Sequence, residues 1–476
     1  MNNSKLNNRI FTEIQTDFQR SFDNEKNFDI SDQSQATIES MKLSLDKIDE
    51  PLEVSNALVY FNQNPYLIDD IIMQKILKLG DLDVEFADGV SRFLLTISTS
   101  TKVISQITAS IASIIMFLLS TISKDSDDLQ DIASTCFEAL AGFVVRITSP
   151  LSMYINESFF EYCFSSLDLR IAQLKNNRAN ISSLYHIRSV FRFLCAFCVH
   201  HSNEIQENAR TRFIQLLCQL YPLGDLMIPT GSTEISLRVF TFDIIFWFSL
   251  ALTASDIRKI LLPEFYESLD QLLQGNQDEF DSAIYAIAAI TMHGDEFSIS
   301  FSALGIELFC STFSEWDPDS ATIRGVCLLF RHFAASLSPE PLNQLMNPII
   351  PAFLEYVFLH CPYSVKKEAF YIMCYMIYSS QIDVIEFVLQ NLMHLFSQQL
   401  EIFISDPDQR TMALGLQSLI IMIHYLQSSH PEQLSSFLEV MKSDEIVQTL
   451  HSFNESTITN SVLSLSNELI QILDQE

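Results

Sequence analysis

Glycine is scarce in this chain, ten in 476 residues, which excludes a fold rich in sheets and tight turns. Basic residues are scarce too: 28 Lys and Arg stand against 59 Asp and Glu, a formal net charge of −31. Phosphate contacts need clustered Lys and Arg, so no nucleic-acid surface is expected. The isolated glycines form no Gly-x-x-x-x-Gly-Lys phosphate loop. Nor is there a Gly-x-Ser-x-Gly elbow, a His-Glu-x-x-His pair, or a carboxylate spacing that singles out an acid and a base. No enzyme and no cofactor are expected.

The nine cysteines are scattered over apolar stretches, which suits buried reduced thiols better than a disulfide framework. Cys195 and Cys198, with His200 and His201 behind them, have the spacing of half a zinc site. No second pair follows and structural zinc needs four ligands, so a core thiol pair is expected and no metal. One uncharged run is long enough to test against a membrane, Val103 to Ser123. It holds five serines, two threonines and a glutamine, and reads as a buried helix pair. Met1 to Arg9 has no apolar core behind it, so no secretory signal is expected and the place of action is cytoplasm, nucleus or both.

What the chain has in abundance is apolar material, 48% of its residues, arranged with a period. Four apolar runs, Ala283 to Met292, Gly325 to Ala334, Ala369 to Tyr378 and Met412 to Ile421, align on Ala289, His332, Tyr375 and Ser418, each 43 residues from the last. A period of about 40 to 47 residues marks stacked armadillo or HEAT units. Matching the same position earlier gives Thr96, Gly142, Phe197 and Leu250, with loop insertions near Lys175 to Ser183 and Tyr221 to Glu234. The fold class expected is all-α, a right-handed α-solenoid of about eight to ten repeats.

Residues 1–35 are dense in Asn, Asp, Gln and Ser and read as a flexible polar arm. Residues 36–476 read as a single solenoid closed by a cap from Glu445 to Leu473. Helix starts are legible at Ser338-Pro339-Glu340 and Asp406-Pro407-Asp408. Phe240 to Leu252 and Phe370 to Tyr378 are apolar nearly all round, as helices between neighbouring repeats must be. The acidic clusters Asp125 to Asp131 and Asp278 to Asp281 read as solvated loops that could also meet a basic partner.

Lys366 to Tyr375 resembles the third helix of an importin alpha unit, whose pattern is Ala-x-Trp-Ala-hydrophobic-x-Asn-hydrophobic. Gly415-Leu416-Gln417-Ser418-Leu419-Ile420 is similar to the next unit, Asp444 to Asn454 to the family's terminal cap, and Asn62 to Leu79 to its first unit. The resemblance spans about residues 40 to 473. In that family, Trp slots hold the stems of Lys and Arg from nuclear-localisation signals, and Asn side chains one turn on clamp the peptide backbone.

At the Trp-equivalent positions this chain has Arg92, Glu138, Phe193, Phe246, Tyr285, Leu328 and Tyr371; at the Asn-equivalent ones it has Thr96, Gly142, Phe197, Leu250, Ala289, His332 and Tyr375. No complete Trp and Asn pair is kept. The resemblance implies a groove formed by Phe193, Phe197, Phe246, Tyr285, Ala289, Leu328, His332, Tyr371 and Tyr375, and a protein or peptide partner, with a basic nuclear-localisation segment the first choice. A folded or helical partner without any transport role is the alternative. Residues 1–50 carry six basic residues against ten acidic ones, so the importin beta-binding segment of the family is not expected here. A monomer is expected, without membrane contact.

Overall fold

The computed structural model describes residues 35–475, apart from 48, 83, 125–129, 148–150, 152, 179, 202–206, 231–232, 311–312, 314–315, 318–320, 337, 405, 407, 442–448 and 451–458. The arm expected at residues 1–35 therefore lies almost wholly outside the described residues, as does most of the expected cap before Asn460. The chain divides into two compact units, residues 1–274 and 275–476.

Unit 1 runs α1 (Gln35–Ser44), α2 (Pro51–Gln63), α3 (Asp70–Gly80), α4 (Val84–Ser98), α5 (Thr101–Gln106), α6 (Ile111–Ile122), α7 (Gln130–Arg146), α8 (Glu157–Asn176), α9 (Ile181–His200) and α10 (Glu207–Cys218). A hairpin, β1 (Met227–Thr230) with β2 (Thr233–Ser236), then leads into α11 (Leu237–Phe248), α12 (Ala254–Ile260) and α13 (Pro263–Leu273). Its inner row is α4, α7, α9 and α11, each packed on the next, with α3, α6 and α8 behind.

The repeat is written in the caps as well as in the apolar stripes. Asp69, Ser100, Asn156, Asn180 and Ser236 each accept a hydrogen bond from an amide in the first turn of the helix that follows. Thr253 and Asp256 form a capping box at α12. The uncharged run from Val103 breaks at Ile107 into α5 and α6, and among the described residues no helix is long and apolar enough to cross a membrane. The insertion expected near Tyr221 to Glu234 is where the hairpin sits, with Ile228 opposite Ile235, so the unit is helical with one small antiparallel pair.

Unit 2 runs α14 (Gln277–Thr291), α15 (Asp295–Ser302), α16 (Ile306–Cys310), α17 (Ala321–Ala335), α18 (Pro339–Leu345), α19 (Ile349–His360), α20 (Tyr363–Tyr378), α21 (Ile382–Asn391), α22 (Met393–Ile404), α23 (Gln409–Ser429), α24 (Pro431–Met441) and α25 (Asn460–Gln475). The inner row is α14, α17, α20, α23 and α25. The positions 43 residues apart, Ala289, His332, Tyr375 and Ser418, fall one on each of the first four of these helices. At Gly325 the row is tight: a Cβ there would sit 2.9 Å from Ile284 Cγ2, so α17 meets α14 where only glycine fits without movement.

Two expected helix starts are adjusted. Ser338 does precede α18, but its hydroxyl makes no capping bond. Before α23 the cap is Asp408, which accepts from the Arg410 amide. Asp406 instead accepts from the Asp408 amide at 2.6 Å and pairs with Lys367 at 3.3 Å, a buried tie back to α20.

Polar bonds one repeat apart stitch both rows. In unit 1 Ser91 meets Cys136 at 3.1 Å, Ser189 donates to Glu138 at 3.3 Å, and Tyr162 donates to the Ile122 carbonyl at 2.7 Å. In unit 2 Thr291 meets His332 Nδ1 at 2.9 Å, Tyr371 meets Thr411 at 2.7 Å, and Ser418 donates to the Cys374 carbonyl at 3.2 Å. All nine cysteines are free thiols, and burial raises those of Cys195 and Cys198 above the usual range. Among the described residues no three of His, Cys, Asp and Glu are grouped to hold a metal.

Candidate functional site: the open faces of the inner helices

A helix packed between two others and backed by a third keeps only a narrow stripe open, and residues at i, i+3 and i+7 fall on it. On α9, every residue from Ser183 to Cys198 is buried except Tyr185, Arg188 and Arg192. On α14, Tyr285 alone is open from Ser282 to Thr291, and Asp278 and Asp281 continue its stripe toward the helix start. The residues thought to form a solvated loop at Asp278 to Asp281 are thus the first turns of a helix. Of the other acidic cluster, 125–129 lie outside the described residues.

The nine groove residues divide sharply. Phe193, Phe197, Phe246, Ala289, Leu328, His332 and Tyr371 are all buried, whereas Tyr285 and Tyr375 keep part of their rings open. Phe193 and Phe197 face the core because a chain of rings needs them there. Phe193 lies 5.8 Å from both Phe137 and Phe159, and Phe197 lies 5.2 Å from Phe160. On α11 the stripe is one residue out of register: Phe246 is inside, while Asp243 and Trp247, four apart, are the half-buried pair. A one-residue step turns a helix by about 100°, enough to exchange core for surface.

His332 is a structural link. Its Nδ1 is bound to Thr291, and burial, helped by the neighbouring Arg331 charge, pulls its pKa down to about 3. Tyr371 is one end of a buried polar chain. Its ring lies 5.8 Å from the Arg331 guanidinium, which in turn pairs with Glu368, and its hydroxyl meets Thr411. Lys367, on the same face one turn earlier, is held by Asp406 and Asp408. What stays open on α20 below that chain is Tyr375 and Tyr378.

The acidic stripe of α14 is fixed from both sides. Asn276 and Glu279 form a capping box that anchors the helix start. Thr322 of α17 donates to Asp281 and accepts from Gln277 Nε2 at 3.1 Å. Burial, with the nearby Asp278 charge, holds the Asp281 carboxyl above its ordinary pKa. The stripe therefore offers two carboxylates and an aromatic face along about two turns of helix. Such a surface can hold a cation over the ring and pair it with oxygen.

Comparison with known proteins agrees with this architecture. The sequence profile of the Exportin 1-like protein family, Xpo1, matches residues 67–180, a stretch that covers α3 through α8 and under half of the chain. A crystal structure of importin beta is similar with a TM-score of 0.59 and 14% identity, covering 92% of this chain and 55% of that one. This chain thus spans little more than half of importin beta. A crystal structure of an engineered protein is similar with a TM-score of 0.57 and 14% identity, covering 97% of this chain and 99% of that one. No curated protein matches in sequence. At such identities what is shared is the fold: an α-solenoid of the HEAT and armadillo type. None of these likenesses is specific to importin alpha.

Proposed function

We propose that this protein is a non-enzymatic, protein-binding solenoid of the nuclear-transport type, acting as a single chain in cytoplasm and nucleus, and that its α14 stripe receives a basic segment of its partner. The observation that carries this reading is the alignment of Asp278, Asp281 and Tyr285 on the one open stripe of α14. Its support is the solenoid fold shared with importin beta, the Exportin 1-like match, and a net charge of −31 that draws basic ligands. An importin alpha-like adaptor role is the finer form of the same reading. In it Tyr285 stands where that family has Trp, and the two carboxylates do part of the work of its Asn ladder.

Fluorescence anisotropy of a labelled Lys-rich nuclear-localisation peptide, titrated with the full chain, tests it. Micromolar or tighter binding that weakens as salt rises is expected, with the Asp281→Asn, Tyr285→Ala variant weaker by about tenfold or more. Binding that ignores both substitutions sinks the proposal, and a preference for folded or helical partners at all salt concentrations favours a scaffold without a transport role.

A further inference from the structure

We infer, resting on the basic-segment reading of α14 proposed above, that Thr322 of α17 is a positioning residue for that stripe: it leaves Asp281 one uncommitted oxygen, so the stripe takes a lysine ammonium in preference to an arginine guanidinium. Thr322 is buried in the first turn of α17, which packs against α14. Its hydroxyl donates to Asp281 Oδ1, and Gln277 Nε2 donates to the same hydroxyl oxygen at 3.1 Å. With its oxygen accepting from Gln277, the hydroxyl directs its single proton at Asp281. Threonine is β-branched and stiff about its first torsion, so the bond keeps its direction.

Asp281 differs from the carboxylates that the chain buries. Among the described residues each of those has a base against it: Glu138 has Arg192, Asp256 has Arg210, Glu368 has Arg331 and Asp406 has Lys367. Asp281 is half-buried, and among the described residues the Thr322 hydroxyl is the one group bonded to its carboxylate; no base lies against it. A hydroxyl offsets the loss of water less than a cation does, and burial with the Asp278 charge holds this carboxyl above its ordinary pKa. The position is a partly desolvated charge, fixed in direction and lacking a counter-ion. It lies one turn before Tyr285, ahead of the Trp-equivalent position, so the resemblance to importin alpha gives it no role.

The oxygen that Thr322 occupies decides which base fits. Arginine owes its advantage at carboxylates to two parallel N–H···O bonds, one to each oxygen. At Asp281 the guanidinium fork must share Oδ1 with the threonine, so that advantage is lost. An ammonium has no such requirement: it is a compact point charge that approaches Oδ2 from any side and keeps donors for Asp278 or water. Asp278 is exposed, so its oxygens serve either base and add attraction without preference. Selectivity therefore falls on one position of the bound segment, the base that reaches Asp281.

The test compares, by fluorescence anisotropy with the full chain, a labelled Lys-rich nuclear-localisation peptide and the same peptide with every Lys replaced by Arg. The unaltered chain is expected to favour the Lys peptide by about threefold or more. Thr322→Val nearly keeps the side-chain shape and removes the hydroxyl; Gln277 is exposed and turns to water, so the variant should fold by circular dichroism. In it the two affinities are expected to converge or change order, and Thr322→Ser, which restores the donor, should return the preference. A threonine that served packing alone would not give that pattern. Asp281→Asn keeps the shape and removes the charge; it should weaken both peptides and bring their ratio near one. Equal binding of the two peptides by the unaltered chain, or a preference that survives Thr322→Val, overturns the inference and leaves the basic-segment reading standing. Binding of neither peptide sinks that reading and the inference with it.

Discussion

On α9 the stripe left open at i, i+3 and i+7 is Tyr185, Arg188 and Arg192; on α14 the same spacing holds Asp278, Asp281 and Tyr285. α9 is packed between α7 and α11 of its row, α14 is packed on α17 of its own, and both present one tyrosine. Only the charge differs. In a stacked repeat the buried faces must satisfy the same packing rules throughout, so chemistry can vary only at the few positions that packing leaves open. The units differ in how they hold those helices as well. Unit 1 relies on rings: Phe213 lies 5.2 Å from Phe191 and 4.1 Å from Phe248, all buried. Unit 2 has ring pairs of its own, such as Phe370 and Phe403 at 4.6 Å, and adds a buried chain of charged and hydroxyl groups running from Arg331 through Glu368 and Tyr371 to Thr411.

That contrast can be broken experimentally. The largest effect is expected at the buried pair. Arg331→Ala breaks the buried pair with Glu368 and should cost about 3 to 5 kcal/mol in urea unfolding, while Arg331→Met with Glu368→Leu should recover most of it. Phe213→Ala in unit 1 should cost about 3 to 5 kcal/mol as well, but no second substitution that merely restores polarity should rescue it. Gly325→Ala forces a methyl against Ile284 and should cost about 1 to 3 kcal/mol, visible as a lowered midpoint with unchanged slope.

Acid should weaken both units. His186, bound on one side by Ser134 at 3.0 Å and on the other by Ser166 at 2.8 Å, is pushed down to about 4 by burial, and His332 to about 3. The unfolded chain binds these protons near pH 6.5 and the folded chain only near 4 or below. Stability is therefore fully present above pH 6.5 and lost as pH falls toward 4, by up to about 1.4 kcal/mol per pH unit for each histidine. Thermal melts between pH 7 and 4.5 should show that slope, reduced in His186→Gln. The smallest effect is expected at Tyr371→Phe, which removes the hydroxyl bond to Thr411 and should cost about 1 kcal/mol.

The row of inner helices was legible in the sequence because its spacing is set by packing: Ala289, His332, Tyr375 and Ser418 all fall on it. The resemblance to importin alpha carried the order of units, but its ligand positions misled in detail. Phe193, Phe197 and Tyr371 occupy signal-reading positions in that alignment, yet an aromatic residue that has lost its Asn partner is as useful inside as outside, and here the rings fill the core. The better signal was the reverse one. In a helix as apolar as α9, the arginines at 188 and 192 mark the open stripe, since an unpaired charge cannot be buried cheaply. Trp247 was passed over for Phe246 because a loose motif does not fix helical phase to one residue.

The most direct measurement is the affinity of the full chain for a Lys-rich nuclear-localisation peptide before and after charge reversal on the acidic stripe, Asp281→Lys, with Arg188→Gln as the control on the other stripe. A basic-segment site on α14 predicts that the reversal abolishes binding and that the control leaves it within about twofold of the original. Equal affinity in all three proteins would contradict it.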